Sequence, residues 1–369
     1  MVPVFEQTNI TRYHLEQALR LCGLPLTVHP DAFALEGEGA WHIAYRVSIP
    51  QHAHPFIVRI RKPAPYGQLQ TYADHAAEWH AEYLSTSLYY RQANRIQPYI
   101  CPTVYLYHVS EAFTCTVESY MGAQLDLSTL DRTAARRYGR QIGAMSRGLH
   151  QKKTHIIGAG EFGWDGANLY GKTPIQSPRL LRQIEHAYHA TIFAALSESG
   201  LSLDLHSVRD RLSAAHRLRD IDEPTVLINR DISPENLTLQ ADGRVGVIDP
   251  YTYLGNGTRF AAWFIHCYRF LLPAYASTPR YRDQRYDDHA ETLAHIADGF
   301  ERSYTGDDDD LLRHITAECW LWTLEQAYDD YTRLTADGQD ARSVFKHGDA
   351  QTVRRRLMRS LRQLEMLDF

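Results

Sequence analysis

Apolar residues along the chain follow two periods, and the switch between them predicts two kinds of architecture. Residues 10–22, ITRYHLEQALRLC, place Leu15, Ala18, Leu19 and Cys22 at helical spacing, with Gly23, Leu24 and Pro25 as the stop. From Val28 onward the period shortens. Phe33-Ala34-Leu35, residues 43–47 and residues 56–60 predict three strands of an antiparallel meander, the last two separated by a loop rich in His and Pro. A helix is expected over 72–93, then strands at 104–107 and 113–117. Beyond that the chain turns helical: 131–150, 178–199, 204–219, 288–304, 310–334 and 351–366 carry helical spacing. Residues 261–272 are apolar nearly all round, which predicts a buried helix. Four aspartates at 307–310 suit a helix N-terminus, where the macrodipole favours carboxylates. Residues 158–173 are glycine-rich and without periodicity, so they are read as a loop that either borders a substrate pocket or connects helices.

One stretch, residues 226–253, interrupts the helical half with β character. Val226-Leu227-Ile228 leads into a polar loop; Leu237-Thr238-Leu239 and residues 245–248 flank a turn at Asp242-Gly243, a strong short-range hairpin signal. Asp231, Asn236 and Asp249 stand at the loop ends. A hairpin this short brings them to one place. Two carboxylates and an amide are hard oxygen donors of the kind Mg²⁺ shares with substrate phosphates.

Composition narrows the setting. With 369 residues the chain can bury a sizeable core; 44% hydrophobic and 22% charged residues are ordinary for a globular protein, and a net charge of −5 argues against nucleic-acid binding. No apolar run reaches the roughly 20 residues that span a bilayer, and MVPVFEQTNITRYH lacks the pattern of a signal peptide, so no membrane partner and a cytoplasmic location are expected. Five scattered cysteines without a C-x-x-C read as reduced thiols. Nineteen histidines without H-E-x-x-H, His52 and His54 among them, read as solvated or structural.

The run Asn229-Arg230-Asp231-Ile232-Ser233-Pro234-Glu235-Asn236, followed by Val247-Ile248-Asp249, resembles the aminoglycoside phosphotransferase and choline kinase group. The resemblance covers about residues 28 to 300. It implies an α+β, two-lobed protein kinase-like fold: an antiparallel-sheet nucleotide lobe over 1–117, a hinge at 118–123 and a helical catalytic and substrate lobe over 124–369. It implies ATP and Mg²⁺ as cofactors and a small-molecule hydroxyl as acceptor, an aminoglycoside-type antibiotic or a small metabolite. Asp231 would orient the hydroxyl and accept its proton, and Asn236 and Asp249 would hold metal. Gly37 and Gly39 would bring backbone N–H groups over the phosphates.

The resemblance also calls for a strand cation on the α/β-phosphates. Arg59 is the candidate, Lys62 the alternative, and Arg61 is disfavoured. A helix glutamate, Glu82 or else Glu78, would hold that cation. The Glu118 carbonyl and the Tyr120 N–H would face the adenine. Carboxylates for a polycationic acceptor would come from Glu318, Glu325, Asp329 and Asp330. Two positions depart from the group: Asn229 stands where a His is usual, and near Ala261 an Asp that braces the catalytic loop is missing. Those departures motivate the alternative of a kinase-like nucleotide-binding or scaffold protein with impaired turnover.

Overall fold

Strand 56–61 shows how the sequence builds its sheet. In FIVRIR, Phe56, Val58 and Ile60 point to one face and pack with Leu15, Ala18, Leu19, Cys115 and Val117 in a buried cluster. Ile57, Arg59 and Arg61 point to the other, since successive strand side chains alternate. The computed structural model describes residues 10–369 apart from 25, 26, 30, 51, 176, 220–222 and 337–339. Pro25 and part of the His/Pro loop therefore lie outside the described residues.

In chain order the elements are α1 (Arg12–Leu21), β1 (Phe33–Glu38), β2 (His42–Val47), β3 (Phe56–Arg61), α2 (Tyr72–Ile96), β4 (Tyr105–His108), β5 (Cys115–Ser119), β6 (Ala123–Gln124), α3 (Arg132–His150), β7 (Ala159–Trp164), β8 (Leu169–Thr173), α4 (Pro178–Glu198), α5 (Leu205–Leu218), β9 (Thr225–Asn229), β10 (Leu237–Leu239), β11 (Val245–Val247), β12 (Thr252–Asn256), α6 (Gly257–His266), α7 (Leu272–Tyr275), α8 (Ala290–Thr305), α9 (Asp309–Thr335), α10 (Ala341–His347) and α11 (Ala350–Met366). The expected helices and the meander are present, most within two or three residues of their expected bounds.

The chain divides into two compact units. The first comprises residues 1–125, 156–174 and 229–254. Its antiparallel five-stranded sheet has the order β1-β2-β3-β5-β4. Helix α1 covers one face through the cluster above. Helix α2, capped by Thr71 accepting from the Asp74 N–H, lies on the other, where Tyr83 meets Tyr107 and Tyr90 meets Tyr105. Hairpin β10–β11 turns at Asp242-Gly243 as expected, with Gly243 at φ +76°. Strand β6 pairs with β10 to make a three-stranded sheet.

That hairpin belongs to this unit, whereas the expected boundary assigned it to the helical part. Hydrogen bonds explain its place: Gln240 Nε2 donates to the Tyr99 carbonyl at 2.8 Å, the Val247 N–H to Ile100 at 2.7 Å and the Leu125 N–H to Leu237 at 2.8 Å.

Residues 158–173 are not a loop. They form hairpin β7–β8, and β12 pairs with β7 through Tyr253 opposite Glu161. The glycines that hid its period have a packing role: the Tyr170 ring lies over Gly163, and a Cβ there would meet it at 2.4 Å.

The second unit comprises 126–155, 175–228 and 255–369. Helices α3 and α8 pack backbone to backbone, because a Cβ on Gly139 would lie 1.9 Å from the Ile296 carbonyl oxygen. Helices α4, α5, α9 and α11 enclose a core that includes Ile192, Leu196, Leu212, Trp320, Leu324 and Leu361. Helix α6 is buried as expected, Ala261 completely, and it continues into a π-helical turn at Cys267–Leu271. The aspartate run starts α9, with Asp308 accepting from the Leu311 N–H at 2.9 Å. Among the described residues, no helix is long and apolar enough to cross a membrane.

Candidate active site

All the residues that line the cavity described here belong to the first unit. The loop between β9 and β10 presents Asp231, which is exposed. A 3₁₀ turn, Pro234–Asn236, then places Asn236 beneath it. The Asn236 Nδ2 donates to the Asp231 carbonyl at 3.1 Å and reaches the Asp249 carbonyl at 3.5 Å, while the Asn236 carbonyl accepts from the Ile248 N–H at 3.0 Å. One amide side chain thus ties both acidic residues together, and their convergence, inferred from the short hairpin, is present.

Asp249 follows β11 with φ +48°, the left-handed region that L-residues rarely adopt. Asp tolerates it better than most. Its N–H is fixed by the Tyr90 hydroxyl at 3.0 Å, and its carboxylate, about half exposed, lies 3.5 Å from Arg59 Nη1.

Asn229, which occupies the usual position of a His, is buried. Its Oδ1 accepts from the Asp231 N–H at 2.9 Å and from the Tyr251 N–H at 3.0 Å. The Arg230 N–H adds a 2.8 Å bond to the Tyr251 carbonyl. The loop bearing Asp231 is therefore braced to the segment after Asp249 by a side chain other than the expected one.

The cations are arranged differently from the expectation. Arg59 pairs with neither helix glutamate among the described residues. Its Nε donates to Glu118 Oε1 at 2.8 Å, and Glu118 is 2% exposed. Burial opposes the guanidinium charge, but Glu118 and Asp249 beside it more than offset that, so the net effect raises its pKa. Glu82 pairs with Arg61 at 2.9 Å. Arg61 also donates to the Tyr83 hydroxyl at 3.1 Å, and its guanidinium lies 5.4 Å from the Trp41 ring centroid and 5.0 Å from that of Trp79. Glu78 sits 3.0 Å from the His75 ring and 4.0 Å from Lys172 Nζ. Lys62 pairs with Glu38 across the β1–β2 turn. The disfavoured Arg61 shares a face with Arg59 because the two are separated by one strand period, a signal present in the sequence.

Four further expectations change. The Gly39 N–H donates to the His42 carbonyl at 2.9 Å, and Gly37 sits in β1 at a register irregularity, so the N–H of Gly39 is committed within the turn. The Tyr120 N–H donates to Pro55 at 3.1 Å and does not face an open site. Glu118 lies within β5, flanked by Ile57 of β3 and Tyr105 of β4, so its backbone is part of the sheet, and its side chain is on Arg59. Finally, the four carboxylates expected for a polycationic acceptor are paired within the second unit: Glu318 binds Arg219 and Arg259, Glu325 binds Arg259 and Asp330 binds Arg356, joining α9 to other segments, while Asp329 binds Arg333 one turn along the same helix.

A cavity of about 490 Å³ is bordered by Asp231 and Asp249, and a small one of about 30 Å³ by Arg59, Glu118 and Asp249. Asp231, Asp249 and Tyr251 line the larger together with Trp41, Arg61, Trp79, Glu78 and Glu82, and hairpin β7–β8 contributes Glu161, Phe162 and Lys172. Tyr251 donates its hydroxyl to Glu161, which, with burial opposing and Lys172 adding, holds that carboxyl below its ordinary pKa. His42 also lines it; burial, with Arg61 nearby, lowers its pKa to about 3, so it is neutral near pH 7. The hairpin residues were missed individually because their glycine-rich context carries no period.

The donor set suits Mg²⁺. Asp249 offers a carboxylate to the cavity, and Asn236, whose amide nitrogen reaches the Asp249 carbonyl, carries an amide oxygen. Among the described residues no three His, Cys, Asp or Glu side chains cluster as a closed metal cage.

A family model described as "Phosphotransferase enzyme family" matches residues 38–259, more than half the chain. No curated protein matches. Among solved structures, a thermostable mutant of the aminoglycoside phosphotransferase APH(4)-Ia in its apo form is 15% identical, covering 96% of this chain and 99% of that one, with a TM-score of 0.50. A putative fructosamine-3-kinase from Thermobifida fusca is 17% identical over 96% and 98% of the two chains, TM-score 0.48, and an ethanolamine kinase from Plasmodium vivax is 16% identical over 89% and 81%, TM-score 0.47. The fold is α+β and two-lobed, protein kinase-like, as expected. The chain belongs to the phosphotransferase enzyme family.

Proposed function

We propose that this phosphotransferase moves the γ-phosphoryl group of ATP, with Mg²⁺, to a hydroxyl of a small molecule. The observation that carries the reading is Asn236, whose single amide ties the backbone of Asp231 to that of Asp249 at the edge of one cavity. Asp231 orients the acceptor hydroxyl and takes its proton. Asp249 and Asn236 would hold the ion, which when bound would neutralise charge on the β- and γ-phosphates. Arg59 lies beside Asp249 and supplies positive charge to the phosphates. These roles rest on positioning and charge.

The lining supports one class of acceptor. Glu78, Glu82 and Glu161, together with Asp231 and Asp249, outnumber Arg61 and Lys172. This favours an acceptor carrying amines, an aminoglycoside-type compound or a small amino alcohol or sugar. Against the impaired-turnover alternative stands the Asn229 side chain, which braces the catalytic loop directly; the missing Asp near Ala261 still speaks for it.

An acceptor panel screened by ATP consumption tests the reading, with two variants as controls. Asp249→Ala should lose activity and nucleotide–Mg²⁺ affinity together. Asp231→Asn should keep ATP binding and lose about 10²–10⁴-fold in kcat. Wild-type turnover by Asp231→Asn would refute the assignment.

A further inference from the structure

Arg59, Glu118, Tyr90 and Asp249 close a ring. Arg59 Nε donates to Glu118 Oε1 at 2.8 Å, the Tyr90 hydroxyl donates to Glu118 Oε2 at 3.3 Å, the Asp249 N–H donates to the Tyr90 hydroxyl at 3.0 Å, and Asp249 Oδ2 lies 3.5 Å from Arg59 Nη1. The contacts are unequal. Glu118 and Tyr90 are each 2% exposed, so the Arg59–Glu118 bond is short, charge-assisted and shielded from water. The Asp249 carboxylate is about half exposed and farther away, so solvent screens it. Glu118 therefore fixes the guanidinium by its Nε edge. The Nη edge is aimed at Asp249, where phosphates would arrive.

Glu82, the helix carboxylate in reach of this site, is engaged elsewhere. It holds Arg61, whose guanidinium lies near two indole rings. Arg59 and Arg61 share a face of β3, and each has its own carboxylate.

We propose that Glu118, from strand β5, is the positioning residue for the phosphate-binding Arg59, and that Glu82 serves a second, independent cation, Arg61, so that the site meets nucleotide phosphates with two separately held arginines. Tyr90 extends the first pair to the backbone of Asp249, linking cation placement to the proposed metal ligand. This inference rests on the ATP-dependent reading above.

The test is a set of double-mutant cycles read by ATP binding (titration calorimetry with MgATP) and by KM and kcat on whichever acceptor the panel identifies. Wild-type protein that binds no MgATP refutes the ATP reading itself; the cycles address the positioning inference once binding is present. Glu118→Gln should weaken MgATP by about tenfold or more, the scale of a lost charge-assisted bond, and raise KM for ATP with a smaller change in kcat. Combined with Arg59→Met it should add little, while Glu82→Gln should add fully to Arg59→Met and little to Arg61→Met. Glu118→Asp should recover part of the affinity, which a packing role would not produce. Should Glu118→Gln fail to fold, Tyr90→Phe carries the test, because it removes the hydroxyl from Glu118 and Asp249; a rise in KM for ATP supports the ring. Folded Glu118→Gln, or folded Tyr90→Phe in its place, with wild-type ATP affinity overturns the proposal. So does Glu82→Gln that is non-additive with Arg59→Met.

Discussion

Removing the Asn229 side chain isolates the brace of the catalytic loop. Its Oδ1 accepts two backbone N–H groups, from Asp231 at 2.9 Å and Tyr251 at 3.0 Å, and the residue is 2% exposed. Each such bond contributes about 0.5–1.5 kcal/mol net, and a donor left dry costs about 1–3 kcal/mol. Asp231 and Tyr251 are exposed residues, so water can reach part of what Asn229 releases, and the lower range applies. Asn229→Ala should therefore destabilise by about 2 kcal/mol in urea denaturation. The larger effect should be on kcat: a loop free to shift by about 1 Å can cost about 10²-fold. KM for ATP should change little, because Arg59 and Glu118 are untouched. The sharper comparison is Asn229→His, the residue usual at this position in the group. A neutral imidazole offers one acceptor nitrogen, so it can satisfy only one of the two N–H groups and should fall between Asn and Ala. An Asn229→Ala protein within about 0.5 kcal/mol of wild type, with kcat within twofold, would refute the brace.

Two further outcomes concern stability. Gly139→Ala should destabilise strongly, by about 2–4 kcal/mol for forced overpacking, since its Cβ would lie 1.9 Å from the Ile296 carbonyl oxygen; calorimetric melting checks it, and an unchanged Tm would refute the tight α3–α8 approach. His266, 2% exposed, has its pKa lowered to about 4 by burial, with Glu325 opposing. The unfolded imidazole titrates near 6.5, so the unfolded state takes up the proton first as pH falls. Stability from neutral burial is fully present above about 6.5 and is lost between there and about 4, roughly 2 kcal/mol of it by pH 5. His266→Gln should flatten that part of the acid dependence in urea melts at pH 7.5 and 5.0; an unchanged slope would refute the assignment.

How far the sequence carried the fold and the site follows from which interactions are local. Helices such as α9 and α11 were legible because burial at helical spacing is written into consecutive residues. The Asp242-Gly243 hairpin was legible because its turn residues and flanking strands are adjacent. The partner of Arg59 was not. Glu118 lies 59 positions away, and choosing it over Glu82 requires knowing that β5, and not β4, is the neighbour of β3. The hairpin β7–β8 was illegible for another reason: its pairing depends on the Tyr170 ring lying over Gly163, so the residue type that usually signals a loop is here a condition for the strand. The acidic helix α9 misled in the opposite sense. Glu318, Glu325 and Asp330 look like ligands for a cationic acceptor, yet each is matched by an arginine or histidine drawn from other helices.

The site's supports also explain how the chain can depart from the group's usual pattern around Asn229. Three neutral side chains each join two backbone or side-chain partners: Asn236 joins Asp231 and Asp249, Asn229 joins Asp231 and Tyr251, and Tyr90 joins Asp249 and Glu118. Burial raises the pKa of Tyr90 well above the ordinary value, so its hydroxyl keeps its proton and can donate to Glu118 while accepting from Asp249. A histidine in the role of Asn229 would bring an ionisable ring beside Asp231, and its bracing bond would depend on tautomer and pH. An amide has one state. Its carbonyl oxygen accepts two N–H groups at once, and no protonation alters that. The charged groups of the site are thereby confined to the arginine–carboxylate pairs, to Lys172 and to the carboxylates that face the cavity, while the geometry around them is set by groups that stay neutral near pH 7.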